Sequence, residues 1–261
     1  MNSLDKYVVM STIKNKSVAS YLKNIAVPAA PEPTIWEALT PGGLAAAMSF
    51  GASPDNMYKG ADASGVLDLA GSVDLSDTGS PLHLVDDADL DALTVELNDP
   101  AQALNGGDNL DVGVGSWAEL VVGKFIGAQG AGTGIVGKRA TAGFELVMFG
   151  ASGGLQLIVD PGAGIVARTL ASDHVSANAG RFLALIVNDT VADTLTLHTN
   201  LGNAAGVANV ANLDNTQNYT YGASGFRTSA NYRFALGAHW GVSAVGMNAS
   251  HLAALQTYLG L

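Results

Sequence analysis

The stretch that decides the fold runs from Trp117 to Ile126 and reads WAELVVGKFI. It is an apolar run of strand length. Similar runs occur at Phe144 to Phe149, Leu155 to Val159, Arg181 to Val187, Thr194 to His198 and Tyr232 to Leu236. Gly, Asn and Asp separate these runs, and almost no helical periodicity lies between them. Because short, frequent strands without intervening helices are typical of sandwiches, the sequence predicts an all-β fold of two stacked antiparallel sheets.

Composition limits the class of protein and its partners. The 261 residues are 48% hydrophobic, which is ample for a core. The net charge of −11 argues against nucleic-acid binding, since phosphates are neutralised by clustered Lys and Arg. The absence of cysteine excludes disulfides and thiolate metal sites, and no apolar run reaches membrane-spanning length. We therefore expect a globular protein that does not bind nucleic acid and has no membrane-spanning segment.

The first 25 residues differ from the rest of the chain in charge. They hold four Lys and one Asp, a net +3, whereas the remainder holds eight cations and 22 acids, a net −14. The four lysines also interrupt the continuous apolar region that a signal peptide needs. Two short amphipathic helical patterns occur here, and such helices require a partner surface. The residues predicted to dock this arm on a partner are Tyr7, Val8, Lys14, Lys16, Tyr21, Leu22, Lys23 and Ile25. Packing of the arm on its own domain, or on a membrane surface, stays open.

A proline-rich spacer separates the arm from the main body. Residues 26–34 read AVPAAPEPT, and their three prolines favour an extended backbone. We thus divide the chain into an arm and spacer at 1–34 and a β-sandwich at 35–261. Within the body, strands are expected at Leu44 to Phe50, Leu82 to Val85 and Ala92 to Leu97.

The last residues change to a helical period. Asn248 or Ser250 is a suitable N-cap for a short C-terminal helix. The apolar side chains that would share one face of that helix are Leu252, Leu255, Tyr258 and Leu259.

Four segments resemble the laminin G-like group of concanavalin A-like jelly-roll domains. They are AQALNGGDNLDVG from Ala101, IVGKRATAGFELVMFG from Ile135, RFLALIVNDTVADTLTLHTNLG from Arg181, and YRFALGAHWGVSAVGMNASHLAALQTYL from Tyr232. The first segment is similar to the strand that precedes the family's aromatic strand. The second is similar to a hairpin of the family, with Lys138 and Gly143 in place, and the third to another hairpin. The fourth is similar to the closing strands and the short helix that follows them. The resemblance covers roughly residues 40–261 and implies a two-sheet jelly roll. Its patterns are structural rather than catalytic.

Motifs for catalysis are weak. The glycine-rich run from Gly132 to Lys138 imitates a phosphate-binding loop, but Arg139 replaces the hydroxyl residue that holds magnesium, and a strand follows instead of a helix. We interpret it as a glycine-rich β-hairpin loop. Jelly-roll glycoside hydrolases need paired carboxylates at alternating strand positions. No such spacing occurs, and Glu119 and Glu145 are interpreted as solvent-facing strand residues. The sequence therefore predicts no enzyme.

Two groups of side chains leave ligand binding open. Asp86, Asp87, Asp89 and Asp91 form an acidic group that suits either calcium or a solvated loop. We expect no other cofactor, because none of the five histidines shows paired metal-ligand spacing. The aromatic side chains that are candidates for stacking on sugars, or for core packing, are Tyr219, Tyr221, Phe226 and Trp240.

The layout of a basic arm, a proline spacer and an acidic β-body resembles that of minor structural proteins of phage virions. The leading hypothesis is therefore a non-catalytic, homo-oligomeric module anchored to a larger protein assembly, such as a viral capsid or tail, that displays loops for host glycans. The alternative is a free, extracellular lectin-like protein. A jelly-roll glycoside hydrolase comes third.

Overall fold

A computed structural model describes residues 54–59, 65–79, 81–110, 112, 115–150, 153–208, 213–241, 253, 254 and 257. The predicted docking arm, the proline spacer and the predicted strand Leu44 to Phe50 lie outside the described residues, as do the predicted helix caps and apolar helix face near the C-terminus. The described residues Ala253, Ala254 and Thr257 are helical, which agrees with the helix predicted there.

The described residues form sixteen β-strands and one short 3-10 turn, Ala177–Gly180. The strands are β1 Asn56–Lys59, β2 Gly65–Val66, β3 Leu75–Thr78, β4 His83–Asp87, β5 Ala92–Leu97, β6 Ala103–Asn105, β7 Trp117–Phe125, β8 Gly134–Arg139, β9 Ala142–Phe149, β10 Gly154–Pro161, β11 Val166–Leu170, β12 Arg181–Asp189, β13 Thr194–Thr199, β14 Gly202–Val207, β15 Thr220–Gly222 and β16 Tyr232–Trp240.

These strands form two antiparallel sheets of eight strands each among the described residues. Sheet A has the order β14-β13-β12-β7-β16-β5-β4, and β1 also pairs with β16. Strands β5 and β1 share one edge of β16, where β5 pairs with Tyr232 to Phe234 and β1 with Leu236 to His239. Sheet B has the order β11-β10-β9-β8-β15-β6-β3-β2. The fold is thus the two-sheet antiparallel jelly-roll sandwich that the sequence predicts.

The core lies between the inner faces of the two sheets. Trp117 of sheet A lies 4.9 Å from Phe144 of sheet B between ring centroids, and Phe125 stacks on Phe182 at 4.3 Å within sheet A. Full burial of a large apolar side chain contributes roughly 1.5 to 3 kcal/mol to folding. Contacts between strands far apart in sequence therefore hold the sandwich together.

The stretch from Trp117 to Ile126 is mostly apolar because β7 is buried on both faces. Trp117 and Val121 face sheet B, while Leu120 and Val122 point the other way and are also buried. Neighbouring outward positions on β12 and β16 are buried as well, including Leu183 at 0% exposure. A strand buried on two sides reads as a continuous hydrophobic run instead of an alternating one.

The outer face of sheet B carries polar side chains on two neighbouring strands. On β9 and β10 the outward positions include Glu145, Gln156 and Asp160, which alternate with the core residues Phe144, Leu146, Leu155, Leu157 and Val159. An alternating pattern of this kind is typical of a sheet with one solvated face.

The glycine-rich run that imitates a phosphate loop is part of a strand. Residues Gly134–Arg139 form β8, which pairs with β9 in an antiparallel hairpin. Lys138 is 1% exposed, and its Nζ lies 2.8 Å from Asp108 Oδ1 and 3.0 Å from the carbonyl oxygen of Asn109. The β-hairpin is therefore present, but most of the glycine-rich run forms one of its strands and not its loop.

Candidate functional site

A polar groove of about 360 Å³ lies on the outer face of sheet B. We call it the outer groove. Its base is formed by β3, β6, β8 and β15, and its walls by the segments on either side of β15. The polar side chains that line it are Thr78, Asn105, Arg139, Thr216, Gln217, Asn218, Thr220 and Ser224. Amide and hydroxyl groups of this kind both donate and accept hydrogen bonds.

Strand β15 places one polar side chain in the groove by simple alternation. Tyr219 and Tyr221 point into the core, so Thr220 between them points outward. Thr220 is nevertheless only 5% exposed, because the groove walls cover it. Its position follows from the register of β15, which pairs with β6 on one side and β8 on the other.

Two local structures hold the walls of the outer groove. Asn215 Nδ2 lies within 3.3 Å of the carbonyl oxygens of Lys138 and Ala142, which ties the first wall to the β8–β9 hairpin. The second wall is a tight turn in which the Ser224 amide donates to the Arg227 carbonyl at 2.9 Å. Side-chain and backbone hydrogen bonds of this kind fix loops on a rigid sheet.

The second wall carries an exposed aromatic ring. Phe226 has 57% of its surface exposed, and the guanidinium carbon of Arg139 lies 5.9 Å from its ring centroid. That distance is within the range of a cation–π contact. An exposed Phe beside a polar groove offers a flat apolar surface to a ligand.

Four charged side chains form an ion cluster beside the outer groove: Arg139, Glu145, Asp160 and Arg227. Glu145 Oε2 lies 2.9 Å from Arg139 Nη1 and 3.3 Å from Arg227 Nε. Arg139 Nη2 lies 3.4 Å from Asp160 Oδ2. Two cations and two anions make the cluster neutral overall. Its guanidinium groups are therefore already paired with carboxylates of the same chain.

A smaller cavity of about 10 Å³ adjoins the outer groove and shares Thr220 and Ser224 with it. Glu145 and Arg227 also line this cavity. Gly137 leaves room for it, since a Cβ at that position would lie 3.3 Å from Glu145 Cγ and 2.6 Å from the Phe144 carbonyl oxygen. The volume is that of about one water-sized group.

Three buried polar atoms at this place have no hydrogen-bond partner in the described part of the protein. They are Glu145 Oε1, Thr220 Oγ1 and Arg139 Nε. A buried polar atom left without a partner costs about 1 to 3 kcal/mol. A water molecule or a ligand group that reached these atoms would therefore remove this cost.

A second buried polar group lies in the core and not in the groove. Glu119 is 0% exposed, and its Oε1 accepts hydrogen bonds from Tyr219 Oη at 2.5 Å and Tyr221 Oη at 2.8 Å. His239 Nδ1 lies 3.2 Å from Oε2. A side chain at Gly237 would clash with the Tyr221 hydroxyl, so glycine is needed for this contact. Because Glu119 is fully buried and its hydrogen bonds join core side chains, we assign this group to stability.

The structure corrects the interpretation of both strand glutamates as solvent-facing. Glu119 points into the core, on the same face of β7 as Trp117 and Val121. Glu145 does lie on the outer face of its sheet but is only 3% exposed, because Arg139 and Arg227 cover it.

The four candidate aromatic residues divide between two environments. Tyr219, Tyr221 and Trp240 are 0% exposed and pack in the interior, whereas Phe226 is exposed at the outer groove. Sequence reasoning did not find the groove residues Asn105, Gln217 and Thr220. Their positions depend on strand pairing that local sequence patterns do not reveal.

The acidic group predicted near Asp86 lies at the β4–β5 hairpin. Asp87 is buried and contacts Arg233 and Lys124, and Lys124 also contacts Asp89. Among the described residues, no three His, Asp or Glu side chains are grouped so that they could hold a metal ion. The eight predicted arm residues lie outside the described part of the chain. Within that part, no helix is both long and apolar enough to span a membrane.

Comparison with known proteins shows a shared fold. No protein-family model matches the sequence, and no curated protein sequence is significantly similar to it. Among solved structures, the binding domain of botulinum neurotoxin DC in complex with rat synaptotagmin II has a TM-score of 0.57 at 10% identity, over 78% of this chain and 51% of that chain. The binding domain of botulinum neurotoxin serotype D has a TM-score of 0.56 at 11% identity, over 82% and 52%. The chain thus spans about half the length of these toxin domains.

Domain 4 of AbnA, a GH43 extracellular arabinanase from Geobacillus stearothermophilus, is matched over most of its length. This structure, solved in complex with arabinotriose, has a TM-score of 0.54 at 12% identity, over 72% of this chain and 91% of that chain. At these identities the similarity shows the fold alone. The comparisons give no support to the predicted role in a phage virion.

Proposed function

We propose that this protein is a non-catalytic glycan-binding module and that the outer groove of sheet B holds the glycan. The observation that carries the proposal is the exposed ring of Phe226 beside a groove lined by amide and hydroxyl side chains. A sugar has an apolar face of C–H groups and a rim of hydroxyls. It matches an aromatic surface together with groups that both donate and accept hydrogen bonds.

The shared fold supports this proposal by analogy. Domain 4 of the arabinanase, which shares the fold over most of its length, was solved with a bound arabinotriose. It belongs to an enzyme, yet it is one domain of a larger chain. Sugar binding by a domain of this fold therefore has a structural precedent.

The ion cluster favours binding over hydrolysis. Glycoside hydrolases place two carboxyl groups on opposite sides of the scissile bond with room for a water molecule or an intermediate. Here the carboxylates of Glu145 and Asp160 both contact the guanidinium of Arg139. The guanidinium occupies the space between them, so we propose no catalytic role. The absence of new reducing ends after prolonged incubation of the protein with arabinan, starch and cellulose would agree with this.

Replacing Phe226 with alanine is expected to weaken glycan binding about tenfold, because loss of an aromatic stacking surface costs about 1.5 kcal/mol. The measurement is a glycan array for the wild type, followed by calorimetric titration of the strongest ligand against Phe226→Ala. The matched control is Phe149→Ala, which removes a similarly exposed ring from the other end of the same sheet face. Equal loss of affinity in both variants, or none in Phe226→Ala, would contradict the proposed site.

Anchoring by the arm remains a prediction from sequence. If the arm holds copies of the protein together, the triple variant Lys14→Glu, Lys16→Glu and Lys23→Glu should reduce the mass of the full-length protein measured by light scattering after size-exclusion chromatography, because reversed charges repel the acidic body. A wild-type mass of 26.5 kDa, that of one chain, would show that the arm does not make a homo-oligomer.

A further inference from the structure

The small cavity beside the outer groove indicates which class of glycan the site accepts. Two side chains that are at least nine-tenths buried line it, each with an atom that has no hydrogen-bond partner in the described part of the protein: Glu145 Oε1 and Thr220 Oγ1. The cavity volume of about 10 Å³ suits a single oxygen-sized group.

The chemistry of these two atoms is selective. A carboxylate oxygen only accepts hydrogen bonds, so the group that enters the cavity must be a donor. The Thr220 hydroxyl both donates and accepts. A sugar hydroxyl fits both atoms, since it donates to Glu145 Oε1 and accepts from Thr220 Oγ1. The carboxylate of an acidic sugar accepts only and would be repelled by Glu145.

The charges around the groove lead to the same conclusion. The two guanidinium groups that would attract an acidic sugar, those of Arg139 and Arg227, are paired with Glu145 and Asp160. Arg139 Nε remains as a single donor, which a neutral hydroxyl or ring oxygen satisfies. The whole chain carries a net charge of −11, which further disfavours an anionic ligand.

We infer that the outer groove selects neutral glycans and that one sugar hydroxyl enters the small cavity to bond with Glu145 and Thr220. This inference rests on the proposed function, because it assigns a ligand class to the same groove. It also makes Thr220 a specificity-determining residue whose hydroxyl has no role in holding the fold together.

The first test compares matched neutral and acidic probes on the full-length protein. Lactose and α2,3-sialyllactose differ by one acidic sugar, and arabinotriose adds a second neutral probe. A glycan array that contains these and further neutral and uronate oligosaccharides should give its strongest signals with neutral members. If no glycan binds, both the proposed function and this inference fail. If acidic members bind more strongly than their neutral counterparts, the proposed function stands and this inference is overturned.

The second test separates a ligand contact from a structural role. Thr220→Val should weaken binding of the strongest neutral ligand about fivefold to tenfold, the effect of one lost hydrogen bond. Its thermal unfolding midpoint should be unchanged or higher, because a buried hydroxyl without a protein partner is replaced by a methyl group. The control Thr169→Val, an exposed position on the outer face of β11, should bind like the wild type. Unchanged affinity in Thr220→Val would overturn the inference.

A third variant tests the charge argument. Glu145→Gln keeps the shape of the side chain but removes the charge that neutralises Arg139 and Arg227. Neutral ligands should bind at least tenfold more weakly, while the ratio of acidic to neutral binding should rise. A ratio that stays the same, or falls, in a variant that folds would contradict selection by charge. The Thr220→Val result stands by itself if Glu145→Gln does not fold.

Discussion

Replacing Glu119 with alanine is expected to lower the free energy of unfolding by about 3 to 5 kcal/mol. The variant would leave the hydroxyls of Tyr219 and Tyr221 and the ring of His239 buried without their carboxylate partner. Burial, and next the charge of Glu119, raise the pKa of both phenols well above 10, so both keep the proton that they donate. The loss is large because it orphans several donors at once.

Urea denaturation followed by tryptophan fluorescence measures this effect. With a slope of about 2 to 3 kcal/mol per M, the midpoint should fall by about 1 to 2.5 M. Glu119→Gln is the matched control, because its carbonyl oxygen can still accept from the two phenols, and it should lose less than half as much stability. If the free energy of unfolding of Glu119→Ala lies within 1 kcal/mol of the wild-type value, the hydrogen bonds of Glu119 do not stabilise the sandwich.

Replacing Asp87 with alanine should cost about 3 to 4 kcal/mol at neutral pH. Asp87 Oδ2 lies 2.7 Å from Arg233 Nη1 and 3.4 Å from Lys124 Nζ, while Oδ1 accepts from the amide of Asp89 at 3.0 Å. Asp87 is 2% exposed. Its removal therefore takes a buried negative charge away from Arg233 and Lys124, and water cannot easily replace it. The control is Asp86→Ala at the neighbouring, exposed position, which should change stability by less than about 0.5 kcal/mol.

The contribution of Asp87 should depend on pH in a defined direction. Burial alone would raise its pKa, but the hydrogen bond from Arg233 and the charge of Lys124 outweigh burial and hold the pKa below the ordinary value of 3.8. The folded carboxyl therefore binds a proton less readily than the unfolded one. Its stabilisation is complete above the unfolded pKa and is lost as the pH falls through the folded pKa.

Denaturation of the wild type and of Asp87→Asn from pH 7 to pH 2 tests this dependence. The difference in unfolding free energy should stay constant above about pH 5 and shrink steadily at lower pH. A difference that grows as the pH falls would show that Asp87 is protonated more readily in the folded protein, contrary to its contacts with Arg233 and Lys124.

The strands that sequence reasoning found are those whose patterns are local. Strands β7, β9, β10, β12, β13 and β16 coincide with apolar runs, and the predicted strand Ala92 to Leu97 is β5 itself. The strands that it missed include β11 and β14, with five and six residues, and the still shorter β2 at Gly65–Val66 and β15 at Thr220–Gly222, with two and three. Such short strands exist because a neighbour pairs with them, and no local period marks them.

The candidate site could not be predicted from the sequence, because it too depends on strand pairing that leaves no local pattern. Asn105, Arg139 and Thr220 are separated by tens of residues, and only the neighbouring positions of β6, β8 and β15 in sheet B bring them together. One signal was available: Glu119 is two residues from Trp117 and two from Val121, so a period of two places it on the core face. The burial of Glu145 had no such signal, because Arg227 comes from a distant turn.

By itself the sequence determined the all-β class, most of the long strands, the acidic low-charge body and the absence of cysteine chemistry. These properties follow from composition and from short-range periodicity, which each segment carries on its own. Only the tertiary structure decided that Glu119 is a core acceptor, that Arg139 and Arg227 neutralise Glu145, and that Phe226 borders a polar groove. Such contacts are set by strand order and register across two sheets, and these depend on how all the buried faces pack together.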